Sequence, residues 1–159
     1  MESMHDKLTA LSPDLFSLFT ETEVRYRDLD TFKHVNNSVY PSYMEFGRLK
    51  YMHRFLEGMI DWKEKGFILG TNHIVYKHPL FLFDKVRIFT GVGKIGNRSV
   101  TFVNLLTNGE GKHVAYAYSV LVSYNFEKEK SIPVPEEWRE VFEKTDGKLL
   151  EFFENEILR

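Results

Sequence analysis

A chain of 159 residues, 43% hydrophobic and 28% charged, is long enough for one continuous core and has the composition of an ordinary globular domain. A net charge of −2 argues against nucleic acid as the main partner, leaving room for a small anion held by a local cluster of Lys or Arg. The absence of cysteine excludes disulfides, thiolate metal sites and a cysteine nucleophile together. The segment 1–10 shows no basic stretch followed by an apolar one, and no apolar run approaches the roughly 18 residues that span a bilayer. The expectation is a cytoplasmic protein without a membrane span. Aromatic residues are abundant (14 Phe, 8 Tyr, 2 Trp), which fits either an aromatic core or a cleft for a long apolar ligand.

Ser12-Pro13-Asp14 predicts a helical turn ahead of Leu15, Phe16, Leu18 and Phe19, whose expected role is packing. Thr22 to Asp28 alternates, with Val24 and Tyr26 opposed to Arg25 and Arg27, and reads as a half-buried strand. A polar segment without periodicity runs to Asn37. A long helix is then predicted from Ser38 to Leu56, because Tyr40, Tyr43, Met44, Gly47, Tyr51, Met52 and Phe55 recur at three- and four-residue spacing. Asn37 or Ser38 suits its N-cap, and Pro41 falls in the first turn, where a missing N–H does no harm. Glu45 and Arg48, three apart, are expected to form a helix ion pair or a dimer contact.

From Gly66 the period changes to two. Segments 67–78, 84–95, 98–108 and 112–126 are rich in Val, Ile, Phe, Tyr and Thr, and are separated by His78-Pro79, Gly96-Asn97 and Asn108-Gly109. Gly91, Gly93 and Gly96 lie in strand context with no helix after them and do not form a nucleotide loop. Beyond Pro133 and Pro135, two short amphipathic helices are predicted, Glu136 to Lys144 and Lys148 to Leu158. This order implies an α+β fold of one domain: an antiparallel five-stranded sheet wrapped around one long central helix. The core spans about 22–135, with a helical extension at 136–159.

The chemistry concentrates just before the long helix. Two carboxylates (Asp28, Asp30), an imidazole (His34) and two amides (Asn36, Asn37) precede free helix N–H groups. A carboxylate can activate water or attack a carbonyl itself, and a helix start can receive an oxyanion. The alternative is a polar loop present only for turn and cap chemistry. His73 and His78, on opposite faces of one strand, make a poor metal pair, and His5, His53 and His113 have no supporting cluster, so no metal is expected.

The pattern Asp-x-Asp-x-x-x-His-Val-Asn-Asn-x-x-Tyr, followed by Tyr-x-Glu-x-x-Arg, resembles the hallmark of 4-hydroxybenzoyl-CoA-type and acyl-ACP-type thioesterases of the hotdog superfamily. His78-Pro79, Asp84 and Gly96-Asn97-Arg98-Ser99 strengthen the resemblance, which covers roughly residues 22–135. It implies hydrolysis of an acyl-CoA or acyl-carrier-protein thioester, with coenzyme A present only as part of the substrate. By position, Asp30 matches the catalytic carboxylate, Asp28 a structural partner, and His34 a catalytic histidine. Asn37 marks the oxyanion-binding helix start. The plant-type enzymes carry Asn at the position held here by Phe32, which points away from an Asp-Asn-His relay and toward Asp30. Many members carry Gly at the position of Lys33, which implies a different local backbone. Tyr40, Tyr43 and Met44 are candidates for the acyl pocket; Lys94, Asn97 and Arg98 are candidates to grip the phosphates of coenzyme A. The competing reading is a non-catalytic protein that binds an acyl thioester.

A homodimer or dimer-based tetramer is also expected. Segment 112–126 has few charges and two apolar faces, so as an exposed edge strand it would need a symmetry mate. The resemblance places the acyl channel between protomers, with Asp30 of one chain facing the helix start of the other.

Overall fold

The computed structural model of the protein describes residues 4–158, with side chains from Asp6 onward; the side chain of His5 lies outside the described residues. In chain order the elements are α1 (Met4–Leu8), β1 (Leu18–Glu23), α2 (Tyr40–Phe55), β2 (Gly66–Tyr76), β3 (Lys85–Ile95), β4 (Ser99–Asn108), β5 (His113–Asn125), β6 (Lys130–Ser131) and α3 (Glu136–Phe152). The five long strands form one antiparallel sheet in the order β1-β3-β4-β5-β2, and the two-residue β6 pairs with β5. The sheet wraps around α2: this is the hotdog arrangement. No described helix is long and apolar enough to cross a membrane.

The period-two segments become β2 to β5 within two residues of their predicted ends. The first strand does not. It lies four residues earlier, at Leu18–Glu23, and Tyr26–Asp28 is a 3₁₀ turn. The Asp28 carboxylate accepts the Arg25 N–H and curls the chain back where alternation alone suggested extension. A second correction concerns the sheet edge. β5 lies between β4 and β2, fully paired, so 112–126 is interior and the free edges belong to β1 and β2.

Side-chain alternation gives the sheet two apolar faces. On one, Val86, Ile88, Phe102 and Leu106 meet α2. On the other, Val103, Leu105, Tyr116 and Val75 pack beneath Leu8, Leu11, Leu149 and Phe153. The C-terminal extension reaches both faces. As expected it is two helical pieces: the run α3 breaks at a kink on Asp146 (φ −117°, ψ 24°), and the second piece ends in a π turn over Phe153–Ile157. Trp138 and Phe142 pack with Tyr51 and Phe102 on the α2 side, and Leu149 and Phe153 pack on the far side.

The helix crosses the sheet edge where β1 stops. Thr90 is the last β3 residue paired to β1, so Val92 has no strand beyond it. Asp146 takes that place: its Oδ2 accepts the Val92 N–H at 2.8 Å and the Tyr51 hydroxyl at 2.6 Å. Burial pushes the Asp146 carboxyl up to about 6, against those two bonds.

The position of α2 is set by close approach. A Cβ built on Gly47 would meet Thr90 Oγ1 and Ile88 Cγ2, the latter at 2.7 Å. Both belong to β-branched side chains that have little freedom to turn away. Gly147 in α3 has nothing within 4 Å of such a Cβ. Two Gly→Ala substitutions in helices should therefore act in opposite directions. Overpacking at Gly47→Ala costs about 1–3 kcal/mol, more than the roughly 1 kcal/mol that alanine gains in helix propensity. Gly147→Ala should raise stability by about 0.4–1 kcal/mol. Urea midpoints that move in the same direction would refute the close-approach argument.

Candidate active site

The segment between β1 and α2 is held by its own backbone and by the turn after β2. The Asp30 N–H donates to the His34 carbonyl at 2.9 Å and the Lys33 N–H to the Asp30 carbonyl at 3.0 Å, so Asp30 and His34 flank one tight turn. The Val35 N–H reaches the Leu80 carbonyl and the Asn36 N–H the Asp28 carbonyl, both at 2.9 Å. Lys33 sits at φ +63°, the left-handed region glycine favours. Lys33 thus holds a backbone shape that glycine would adopt without strain.

Asp28 and Asp30 have opposite environments. Asp28 is 3% exposed and accepts the Arg25 N–H (2.9 Å), the Arg25 guanidinium (3.1 and 3.3 Å) and the Tyr43 hydroxyl (3.0 Å). Burial pushes its pKa up, but the bonds from Arg25 and Tyr43 together outweigh burial and hold it below the ordinary value. Burial first, and then the bond to the Asp28 carboxylate, push the Tyr43 hydroxyl well above its usual range. Asp30 is half-buried, and one oxygen, Oδ1, accepts the Phe32 N–H at 2.8 Å. Its Oδ2 has no hydrogen bond among the described residues. Phe32 thus contributes its backbone, while its ring is 77% exposed.

The helix start differs from its predicted form by one residue. Asn36 is the cap, its Oδ1 accepting the Ser38 N–H at 2.9 Å; a 3₁₀ turn over Asn37–Val39 then leads into α2. The Asn37 N–H, first of that turn, takes no part in the bonds that knit the segment together. The Tyr76 hydroxyl donates to the Asn37 carbonyl at 3.2 Å, tying the turn to β2.

Asp30, His34, Asn37 and Tyr40 line one open cleft of about 190 Å³ together with Val35, Tyr76, Lys77, His78 and Pro79. All come from one chain, so Asp30 already has a helix start beside it without a partner. His34 packs edge-on against Phe81 (5.3 Å between ring centres), and Tyr40 against Tyr76 (5.0 Å). Burial pushes the Tyr40 hydroxyl up to about 12, so it stays neutral. His78 is missing from the sequence-based candidates because the period-two pattern puts it in a strand; it lies past the end of β2, in the turn signalled by His78-Pro79. Among the described residues, no group of three His, Asp or Glu side chains is placed to hold a metal ion.

The other candidates lie elsewhere. Tyr43 and Met44 are buried in the core cluster under α2. Lys94, Asn97 and Arg98 sit at the β3–β4 hairpin, at the opposite end of the sheet: Ser99 is level with Val122 and Ile68, whereas the cleft lies beyond Tyr76. Arg98 donates to the Ser131 carbonyl at 2.6 Å, and Lys94 lines a separate groove with Glu143, Glu154 and Leu158. Glu45 and Arg48 form no ion pair; Arg48 instead turns under the helix and donates to Ser119 Oγ at 3.1 Å.

Comparison with known proteins adds to this geometry. Residues 24–142 match the family model described as the thioesterase-like superfamily. The chain is 26% identical over 129 residues to the long-chain acyl-CoA thioesterase FadM of Escherichia coli K12, covering 79% of this chain and 96% of that one. It is also 26% identical over 125 residues to YsmA of Bacillus subtilis 168, an uncharacterized protein, covering 79% of this chain and 84% of that one. Among solved structures, a thioesterase of Thermus thermophilus complexed with coenzyme A and zinc superimposes with a TM-score of 0.71 at 32% identity. The match covers 83% of this chain and 96% of that one.

The Asp28 contacts carry a pH dependence of definite sign. A folded-state pKa below the ordinary 3.8 means the stabilisation is complete above that value and is lost as pH falls through the folded pKa. Asp28→Asn should cost about 1–3 kcal/mol near neutral pH, and urea midpoints of variant and parent should converge in acid. A gap that stays constant down to pH 3 would contradict the assignment. Lys33→Gly, by relieving left-handed strain of about 1–2 kcal/mol less glycine's entropy cost of roughly 0.5–1 kcal/mol, should raise the midpoint.

Proposed function

Because the chain belongs to the thioesterase-like superfamily, and so to a family of thioester hydrolases, we propose that it hydrolyses acyl-CoA to free acid and thiol, with Asp30 as the central catalytic group. The observation that carries this is a half-buried carboxylate with one oxygen pinned by a backbone N–H and the other free, beside the start of a long helix. Asp30 Oδ2 takes a proton from water as the water attacks the thioester carbon, or attacks that carbon itself to give an anhydride that water then opens. The tetrahedral oxyanion is received at the Asn37 N–H, where the helix dipole also favours negative charge. The C–S bond breaks: on the water route the thiolate takes the proton that the Asp30 carboxyl accepted, and on the anhydride route it takes a proton of the water that opens the anhydride, with His34 as relay. His78, across the same cleft, is a second candidate for that proton transfer.

Acyl-CoA is favoured over a carrier-protein thioester by the relatives: one is named a long-chain acyl-CoA thioesterase, and another was solved with coenzyme A. Tyr40 supplies the wall of the cleft nearest the reacting carbon, with Tyr43 and Met44 behind it. Shrinking these shifts chain-length preference by opening the core beneath. No other cofactor is invoked; coenzyme A enters as part of the substrate.

The assembly proposed with this chemistry is a two-fold dimer through β2, or a tetramer of such dimers. β2 is an 11-residue strand with one unpaired edge, and its Ile68 and Leu69 are 39% and 48% exposed. Such an edge invites pairing. Antiparallel pairing about its middle sets Tyr76 of one chain near Gly66 of the other. That carries the partner subunit's β3–β4 hairpin toward the cleft, so Lys94, Asn97 and Arg98 grip the phosphates of a coenzyme A bound at the other chain's Asp30.

Two measurements test this. Asp30→Asn keeps shape but removes basicity and nucleophilicity, and should lower kcat by about 10²- to 10⁴-fold; His34→Ala should cost less. Hydrolysis of acyl-CoA by Asp30→Asn within a few-fold of the parent would eliminate Asp30. Arg98→Glu should raise KM for acyl-CoA and leave KM unchanged for an acyl-pantetheine thioester, which lacks the nucleotide phosphates. Equal effects on both substrates would detach the hairpin from the site.

A further inference from the structure

Helix α2 carries a guanidinium that no carboxylate among the described residues neutralises. Arg48 is 5% exposed, and its one hydrogen bond is to Ser119 Oγ, whose hydroxyl donates onward to Asn72 Oδ1 at 2.7 Å. Among the described residues, no carboxylate lies within 4 Å of it. Burying a charge without an opposite charge is expensive, several kcal/mol even after relaxation. Burial depresses the Arg48 pKa, and the nearby Glu45 charge only partly opposes this. A protein that stopped at one chain would gain from Leu or Met at this position.

The line of these groups gives a direction. Arg48 projects from α2 over β5 (Ser119) to β2 (Asn72), toward the unpaired sheet edge. Tyr43 leaves the opposite side of the helix, toward Asp28. Glu45, Arg48, Leu49 and Met52 therefore share the β2 side of α2. Leu49 is 52% exposed there, and Leu69, on the α2 face of β2, is 48% exposed. Glu45 is exposed too, with no ion pair among the described residues. One strip thus holds a buried cation without an anion, an exposed anion without a cation, and apolar side chains between them.

We propose that a second copy of this chain covers the strip and that Glu45 of the partner subunit neutralises Arg48, giving two reciprocal pairs per dimer. A two-fold axis requires such reciprocity: if one chain's residue 45 meets the other's residue 48, the converse contact follows. The Ser119–Asn72 relay holds the guanidinium toward the interface before the partner arrives, and the exposed leucines are removed from water as it docks. This inference rests on the two-fold assembly proposed above and is independent of the hydrolytic chemistry.

The test is a mixing experiment. In Glu45→Lys each homodimer would set Lys against Arg48 twice, and in Arg48→Glu it would set Glu against Glu45 twice. Each variant alone should dimerise at least about 100-fold more weakly than the parent, since like charges at an interface cost several kcal/mol. Mixed together they regain two opposite-charge pairs and should form heterodimers of near-parental affinity, read by light scattering with one variant mass-tagged. Pairing within one chain predicts no rescue on mixing, and folded variants that fail to associate would overturn the proposal. If Arg48→Glu does not fold, Glu45→Lys alone decides: a weakened dimer restored by salt supports the pair, and an unchanged dissociation constant sinks it. A parent that is monomeric at micromolar concentration removes both the pair and the assembly, while acyl-CoA turnover by that monomer would leave the thioesterase reading standing.

Discussion

The site depends on where α2 lies, and α2 is fixed by a close approach to the sheet at Gly47, with buried polar tethers on either side of it. Gly47 lets the helix backbone come down onto Thr90 and Ile88. One turn toward the N-terminus, Tyr43 donates to Asp28; one turn toward the C-terminus, Tyr51 donates to Asp146; between them Arg48 reaches Ser119. These bonds run to three different parts of the chain: the loop before the helix, the C-terminal helix and the fifth strand. Rotating α2 by even a fraction of a turn would leave several buried polar groups without partners, each costing about 1–3 kcal/mol. Close approach and tethers together leave one position for the helix start, and so one position for the Asn37 N–H.

The same logic separates the two carboxylates. Asp28 and Asp30 are two residues apart and of one type, yet Asp28 is fully engaged by hydrogen bonds while Asp30 keeps one oxygen free. Tyr43 and the folded-back Arg25 saturate Asp28, which anchors the loop to the helix. Asp30 sits just beyond the anchor with one oxygen held by a backbone N–H, enough to fix its direction without satisfying it. A carboxylate meant to take a proton or attack a carbon must keep a lone pair free. One anchored carboxylate beside one with a free oxygen is a division that a flexible loop could not maintain.

The sheet edges show a related asymmetry. The β1 side is closed beyond Thr90 by Asp146, which supplies an acceptor where a strand would otherwise be needed. This is where the C-terminal extension passes from one face to the other, its two helical pieces meeting at the Asp146 kink. Among the described residues the β2 side has no such cover: it is bulged between Leu69 and Thr71, and His73 stacks on Tyr118 of its neighbour. The unbalanced charge of Arg48 points to this open side.

The amino-acid sequence by itself determined the elements and the chemistry on offer. Period two gave four of the five long strands, period 3.6 gave α2 with Pro41 in its first turn, and Asp30, His34 and Asn37 were legible as a group before the helix. What it left open was which groups become neighbours. Alternation shows which side of a strand is apolar but not what lies beside the strand, so 112–126 read as an edge when the edges are β1 and β2. Thr22–Asp28 alternates as a strand should, yet the partner strand begins at Lys85, opposite Glu23, and the Arg25–Asp28 bonds turn the chain there. His78 joined the site only because the Val35–Leu80 bond brings two loops together across 45 residues of sequence. Glu45 and Arg48 have the spacing of a helix pair, but a hydroxyl on β5 drew the guanidinium under the helix. Local pattern is written in the order of residues; strand order, burial and the choice of hydrogen-bond partner are settled only when distant segments pack.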